Sequence, residues 1–221
     1  MMIPSEIYEG YLSSLLRGDR GGCAARIKDL VALGTPVKEI YVDMFQRSLY
    51  QVGELWEYNR ISVAMEQMAT SITESLLSLL YQQIFAGPRK GRKAIVACVA
   101  NEYHQLGGKM LADLLEMSGW DAYFLGANTP VLAMIKLIGE KQPDFLALSL
   151  AVYSNFGNMI DAVKEVRQTY PLLPILLGGQ AFRWGGRNIT RQWSDVTYIK
   201  DLDHLETHLQ MRFGNQTQDG N

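Results

Sequence analysis

The stretch Ala94-Ile95-Val96-Ala97-Cys98-Val99-Ala100-Asn101-Glu102-Tyr103-His104-Gln105-Leu106-Gly107-Gly108-Lys109 governs the reading of this 221-residue chain. Its first seven residues are a short apolar run with β-branched Ile95, Val96 and Val99, which predicts a buried strand. A polar loop follows, then a helical pattern from Gln105 to Met117, so the loop that carries His104 stands just past a strand end. The alternation repeats downstream. Strands are predicted at Asp121 to Leu125, Phe145 to Leu150, Ile175 to Leu177 and Val196 to Ile199, with helices near 130–141, 156–169 and 202–212. Strands separated by helices require crossover connections, which favour a parallel sheet covered on both faces. Ligands of such sheets settle beyond the C-terminal strand ends, where the loops Asn101 to Gly107, Ser149 to Asn155 and Gly178 to Phe182 are expected to gather.

Upstream the periodicity is different. From Ile3 to about Ala86 the apolar residues recur at helical spacing. Ile7, Tyr8, Tyr11, Leu12, Leu15 and Leu16 mark a first helix ending near Gly18, and Ala24, Ile27, Leu30 and Val31 a second, stopped at Gly34. Thr35-Pro36 offers a capping hydroxyl and a first-turn proline for a third helix through Val37, Ile40, Tyr41, Met44, Phe45, Val52, Leu55 and Trp56. After a break at Tyr58-Asn59-Arg60, Ser62 can cap a fourth that carries Met65, Met68, Ala69, Ile72, Leu76, Leu79 and Leu80. Four amphipathic helices with short connections predict an antiparallel bundle. The polar, basic run Gly87-Pro88-Arg89-Lys90-Gly91-Arg92-Lys93 reads as a linker. Residues 1–88 are therefore expected to form the bundle and 89–221 the α/β domain.

Composition narrows the function classes. A formal net charge of −2 gives no reason to expect direct nucleic-acid binding, which needs clustered Lys and Arg. Cys23 and Cys98 lie far apart without CxxC spacing and suit a reducing cytoplasm better than a disulfide framework. No apolar run approaches the ~20 residues needed to span a bilayer, so a cytoplasmic protein away from the membrane is expected.

Candidate site residues cluster at the predicted strand ends. A single histidine such as His104 is more often a surface or structural imidazole than a metal ligand. Glu102, two residues back, could accept a hydrogen bond from one imidazole nitrogen and so fix the tautomer of a metal-binding ring, or could be a solvated loop acid. Gly107 and Gly108 allow close approach of a ligand, or merely turn the chain. Ser149 can hydrogen-bond a ring nitrogen or cap its own loop. Gly178-Gly179 leave room for a bulky group, or form a tight turn. His204 and His208 in the last predicted helix have the i, i+4 spacing of a metal pair, which more often marks an exposed helical face.

Taken together, these residues resemble the cobalamin-binding domains of methionine synthase, corrinoid methyltransferase proteins and cobalamin-dependent photoreceptors. Their pattern of Asp-x-His-x-x-Gly, Ser-x-Leu or Ser-x-Thr, and Gly-Gly appears here as Glu102-x-His104-x-x-Gly107, Ser149-x-Ala151 and Gly178-Gly179, and Gly126-Ala127-Asn128-Thr129-Pro130 is similar to the loop after the second strand. The resemblance implies an N-terminal four-helix bundle followed by a flavodoxin-like or Rossmann-like, doubly wound, parallel five-stranded sheet. It implies that His104 replaces dimethylbenzimidazole as the lower ligand of the cobalt, that Glu102 supports it, and that the nucleotide tail enters a slot by Ser149 and the glycines. Two departures are Glu102 for the usual Asp and Ala151 in the serine motif. In the bundle, Trp56 and Glu66 match the Trp-x9-Glu spacing of the photoreceptors, where the tryptophan packs over the upper axial group and the glutamate contacts an adenosyl moiety. Read without the resemblance, Trp56 is as well explained as a core aromatic and Glu66 as part of a solvated helix face. The histidines that follow both residues in that family are Glu57 and Gln67 here.

The resemblance implies a cobalamin-binding protein, with adenosylcobalamin favoured over methylcobalamin. Two functions follow from it, with a simple cobalamin carrier as a third. One is a non-catalytic, light-responsive or cofactor-responsive sensor or adaptor whose bundle repacks against a protein partner, with no DNA-binding segment of its own. The other is a corrinoid methyl carrier serving separate methyltransferases. Whether the chain forms a homo-oligomer is left open by the sequence.

Overall fold

Left-handed residues end three of the N-terminal helices. In the computed structural model, which describes residues 3–214, Gly18 (φ 72°), Gly34 (φ 74°) and Asn59 (φ 55°) follow α1 (Ser5–Leu16), α2 (Arg20–Ala32) and α4 (Arg47–Glu57). The next N–H in each case closes the turn onto a carbonyl five residues back: Asp19 to Ser14, Thr35 to Leu30 and Arg60 to Leu55. Helix starts are capped by side chains at Asp19, which accepts from the Gly22 N–H, and at Ser62, which accepts from the Met65 N–H. The expected cap at Thr35 is not made. Thr35 gives its N–H to the end of α2, and Pro36 precedes α3 (Val37–Glu39) with no side-chain cap.

The third helix also departs from the regular helix expected. Between α3 and α4 the chain runs continuously through a π-helical stretch, Ile40–Gln46. Its end is supported by the Ser48 hydroxyl, which donates to the Phe45 carbonyl at 3.0 Å, so the side chain supplies a partner inside the widened ladder. The fourth helix is α5 (Val63–Leu77), a 3-10 turn at Ser78–Leu80 and α6 (Tyr81–Ile84). Tyr11, Leu15, Ile27, Tyr41, Phe45, Ile72 and Leu77 are fully buried and form the bundle core.

The chain divides into two compact units, Met1–Gly87 and Pro88–Asn221. The second contains a five-stranded parallel sheet of order β2-β1-β3-β4-β5, with β1 Lys93–Cys98, β2 Asp121–Phe124, β3 Phe145–Ser149, β4 Ile175–Gly178 and β5 Val196–Tyr198. Alternation along the strands sends side chains to opposite faces. Ile95, Ala97, Leu146, Leu148, Ile175 and Leu177 pack with Met134 and Ile138 of α8 (Val131–Lys141) and Met159, Val163 and Val166 of α9 (Phe156–Thr169). Val96, Phe145, Ala147 and Leu176 pack on the other face with Ala112 and Leu115 of α7 (Leu106–Met117) and Leu205 of α10 (Leu202–Phe213). The strand order reverses between β1 and β3, so the crevice for a ligand lies where the loops after those two strands diverge.

The basic segment expected as a linker is fastened to this second unit. Arg89 pairs with Glu116 and donates to the Trp120 carbonyl, the Lys90 N–H bonds Gly119 at 2.7 Å, and Arg92 pairs with Asp144 at 2.6 Å. The Arg89 and Arg92 guanidinium groups and the Lys90 backbone N–H each meet a carboxylate or carbonyl that lies beside them once β1 is paired, which the sequence alone does not reveal. Among the described residues no helix is long and apolar enough to cross a membrane.

Candidate functional site

The site begins where β1 ends. Cys98, Ser149 and Gly178 stand side by side at the last register positions of β1, β3 and β4. The chain then leaves β1, turns with Asn101 in the left-handed region (φ 63°), and enters α7 at Leu106. This turn aims Glu102 inward, where it is fully buried, and leaves the His104 side chain 51% exposed.

A buried carboxylate must be matched by donors. Glu102 Oε1 accepts from the His104 N–H at 2.9 Å and lies 2.7 Å from His104 Nδ1, while Oε2 accepts from the Ala151 and Val152 N–H groups, both at 2.9 Å. The carboxylate therefore spans the switch point, joining the loop after β1 to the loop after β3. Burial works against its charge, but the His104 ring and the N–H groups of His104, Val152 and Ala151 outweigh it and hold the carboxyl below the ordinary carboxylate range. A solvated loop acid is excluded. The ionised partner makes Nδ1 the protonated ring nitrogen, which leaves ligand chemistry to Nε2.

Four glycines flank Ser149, and they have different jobs. A Cβ on Gly108 would sit 3.1 Å from Phe124, 3.4 Å from Cys98 and 3.5 Å from Ser149, so this glycine lets α7 approach the sheet. Gly179 has φ 113°, and a Cβ there would lie 2.1 Å from the Leu150 carbonyl oxygen. Packing and backbone conformation explain both. They do not explain Gly107 and Gly178, where a Cβ would meet nothing closer than Ser149 Oγ at 3.8 Å and the Ile199 carbonyl at 3.5 Å. Beside a nearly buried Ser149, these two glycines keep open a cradle that the protein's own side chains do not need. Burial, reinforced by the Glu102 charge and opposed by a hydrogen bond with Ser149, pushes the Cys98 thiol up to about 12. It stays protonated below the loop, unfit to be a ligand or nucleophile.

In the first unit, Trp56 and Glu66 flank the short connection between α4 and α5. Trp56 is 46% exposed and so is not a core aromatic; Glu66 is half-buried and accepts a hydrogen bond from Thr70 at 3.0 Å. Of the pair His204 and His208, His204 Nδ1 accepts from the Lys200 N–H at 3.3 Å, and no group of three His, Cys, Asp or Glu able to hold a metal occurs among the described residues. The sequence reading missed the Ala151 and Val152 N–H donors, and Asn128 and Asn155, which bond the Asn101 backbone. The only available signal was the asparagine in each loop, indistinguishable from ordinary turn chemistry.

Residues 92–199 match a family model described as a B12 binding domain, and residues 7–81 match a second model of the same description. The chain belongs to the B12-binding family. It is 27% identical over 180 residues to the HTH-type transcriptional repressor CarH of Myxococcus xanthus, covering 79% of this chain and 59% of that repressor. It is 22% identical over 161 residues to dimethylamine corrinoid protein 3 of Methanosarcina acetivorans, covering 72% of this chain and 73% of that one. The chain thus spans less than two thirds of the length of the repressor. Among solved structures, the Methanosarcina barkeri monomethylamine corrinoid protein superposes with a TM-score of 0.79 over 94% of this chain and 99% of that one, at 15% identity. That likeness is one of fold, a helical bundle followed by a Rossmann-like domain. The cradle at Gly107, Ser149 and Gly178, together with the Glu102-supported imidazole, fits the cobalamin that the family binds.

Proposed function

We propose that this B12-binding protein holds cobalamin with its lower base displaced and His104 Nε2 on the cobalt, and acts as a sensor or regulatory adaptor. The observation that carries this reading is the 2.7 Å contact between His104 Nδ1 and a buried, four-times-bonded Glu102. Such a carboxylate fixes the tautomer and raises the basicity of the opposite nitrogen. Ser149 and the open positions at Gly107 and Gly178 would receive the displaced nucleotide tail. Trp56 and Glu66 would cover the upper axial group, and the exposure of Trp56 supports a surface set aside for a ligand over a core role. Cobalamin, when bound, supplies a cobalt–carbon bond open to cleavage; the chain supplies ligation, orientation and cover. An adenosyl group above the corrin suits Trp56 and Glu66 better than a methyl group, because only the larger group offers both stacking area and hydroxyls. The output would pass through a protein partner.

The corrinoid methyl carrier is the second reading, favoured by the coverage of dimethylamine corrinoid protein 3 over nearly three quarters of its length. One experiment separates the two. The chain is reconstituted with adenosylcobalamin or methylcobalamin, and spectra and oligomer size are recorded in darkness and after green light. Preference for the adenosyl form with a light-dependent size change supports the sensor; indifference to light with methyl transfer to a methyltransferase supports the carrier. In either case His104→Ala is expected to abolish the spectrum of histidine-ligated cobalamin. Survival of that spectrum would end the ligand assignment.

A further inference from the structure

We propose that Asn128 and Asn155 are positioning residues, which grip the backbone on both sides of Asn101 from two other loops and hold the His104 loop in its ligand-presenting shape. The inference rests on the reading of His104 as the cobalt ligand. Asn101 sits at φ 63°, in the left-handed region that asparagine enters more readily than other L residues, and two side chains hold its backbone there. Its N–H donates to Asn128 Oδ1 at 2.8 Å, and its carbonyl accepts from Asn155 Nδ2 at 2.9 Å. The peptide groups before and after this one residue are thus fixed by side chains from the loop after β2 and the loop after β3. Asn128, itself left-handed at φ 48°, also gives its N–H to the Glu102 carbonyl at 2.8 Å. Residues 101 and 102 are therefore set from outside before His104 is reached.

The amide orientations are forced by their partners. A backbone N–H can only donate and a carbonyl can only accept, so Asn128 must present oxygen and Asn155 must present nitrogen. This requirement yields a sharp test, because Asn→Asp is nearly isosteric at both positions and adds the same charge. Asn128→Asp keeps the acceptor that Asn101 needs. Asn155→Asp replaces the donor with an oxygen facing a carbonyl. The two bonds are solvent-exposed, so their loss is expected to change the loop population more than the global stability. A loop that holds the binding shape for only a fraction of the time weakens apparent affinity in proportion.

The experiment compares wild type, Asn128→Asp, Asn128→Ala, Asn155→Asp and His104→Ala in the full chain. Three readouts are taken: amide hydrogen exchange of residues 101–104 without cobalamin, cobalamin titration, and the histidine nitrogen coupling in the electron spin resonance spectrum of the bound cob(II)alamin. Asn155→Asp and Asn128→Ala are expected to speed exchange at 101–104, weaken binding roughly tenfold, and reduce the nitrogen coupling. Asn128→Asp should match wild type, and unfolding midpoints should stay together. Equal behaviour of the two Asp variants, or a lower unfolding midpoint for Asn155→Asp with its nitrogen coupling intact, overturns the proposal and leaves the ligand assignment standing. If His104→Ala retains the coupling, the ligand assignment has failed and the proposal falls with it.

Discussion

Replacing Glu102 with Gln tests the centre of the site at nearly constant shape. The carboxylate accepts four hydrogen bonds from inside the protein, two on each oxygen. Gln can keep one oxygen toward the His104 N–H and ring, but its amide NH2 must then face the Ala151 and Val152 N–H groups. Two buried donors lose their acceptor, at a cost of about 1–3 kcal/mol each, while relief from burying a charge returns part of it. A net loss of roughly 3 kcal/mol is expected, read from urea unfolding followed by circular dichroism. The acid side of the stability profile gives an independent check. The folded pKa of Glu102 lies below its ordinary value of 4.5, so the wild-type contribution is complete above that value and disappears as the pH falls through the lower folded one. Glu102→Gln should lack that component. A loss under about 1 kcal/mol, with an unchanged acid profile, would refute the claim that the carboxylate is what joins the two loops.

The paired glycines should separate by mechanism. Gly179→Ala is expected to destabilise the fold by more than about 2 kcal/mol, whereas Gly178→Ala should leave the unfolding midpoint nearly unchanged and weaken cobalamin binding; a reversal of these phenotypes in denaturation and titration would show that the cradle has been misassigned. Trp56→Ala should weaken adenosylcobalamin roughly tenfold with little effect on methylcobalamin, and equal titration curves for the two cofactors would remove the tryptophan from the upper face. His208 is held below the ordinary imidazole value of 6.5 by burial, then by the charges of Arg212 and His204. The unfolded chain therefore binds the proton more readily, and stability should fall as the pH drops below that value. Thermal unfolding between about pH 7.5 and about 5.5 should show this decline, and His208→Asn should flatten it.

Much of the architecture was legible because it is written in short-range patterns. Short continuous apolar runs at 94–100 and 145–150 gave the strands, glycine and asparagine marked helix ends, and the order of the motif residues along the chain placed them on loops at one sheet edge. The π-helical stretch was not legible: Ile40, Tyr41, Met44 and Phe45 keep a pattern that a regular helix satisfies equally well. Neither was the second half of the Glu102 site. Its partners Ala151 and Val152 contribute backbone N–H groups, which carry no residue-type signal, and they approach only because β1 and β3 are neighbours in the sheet. The division of labour among the glycines was hidden for the same reason, since Gly178 and Gly179 look alike until the Leu150 carbonyl is placed against one of them.

The fastening of Arg89, Lys90 and Arg92 onto the α/β unit bears on where this chain tolerates a cut. Scission just ahead of Pro88 would leave Glu116, the Gly119 and Trp120 carbonyls and Asp144 with the partners they have in the whole protein. Trimming to Lys93, the visible start of the first strand, would strip each of these four acceptors of a partner at once. A shortened protein designed from strand limits alone would therefore be weakened where β1, β2 and β3 begin, at the end of the sheet opposite the His104 loop.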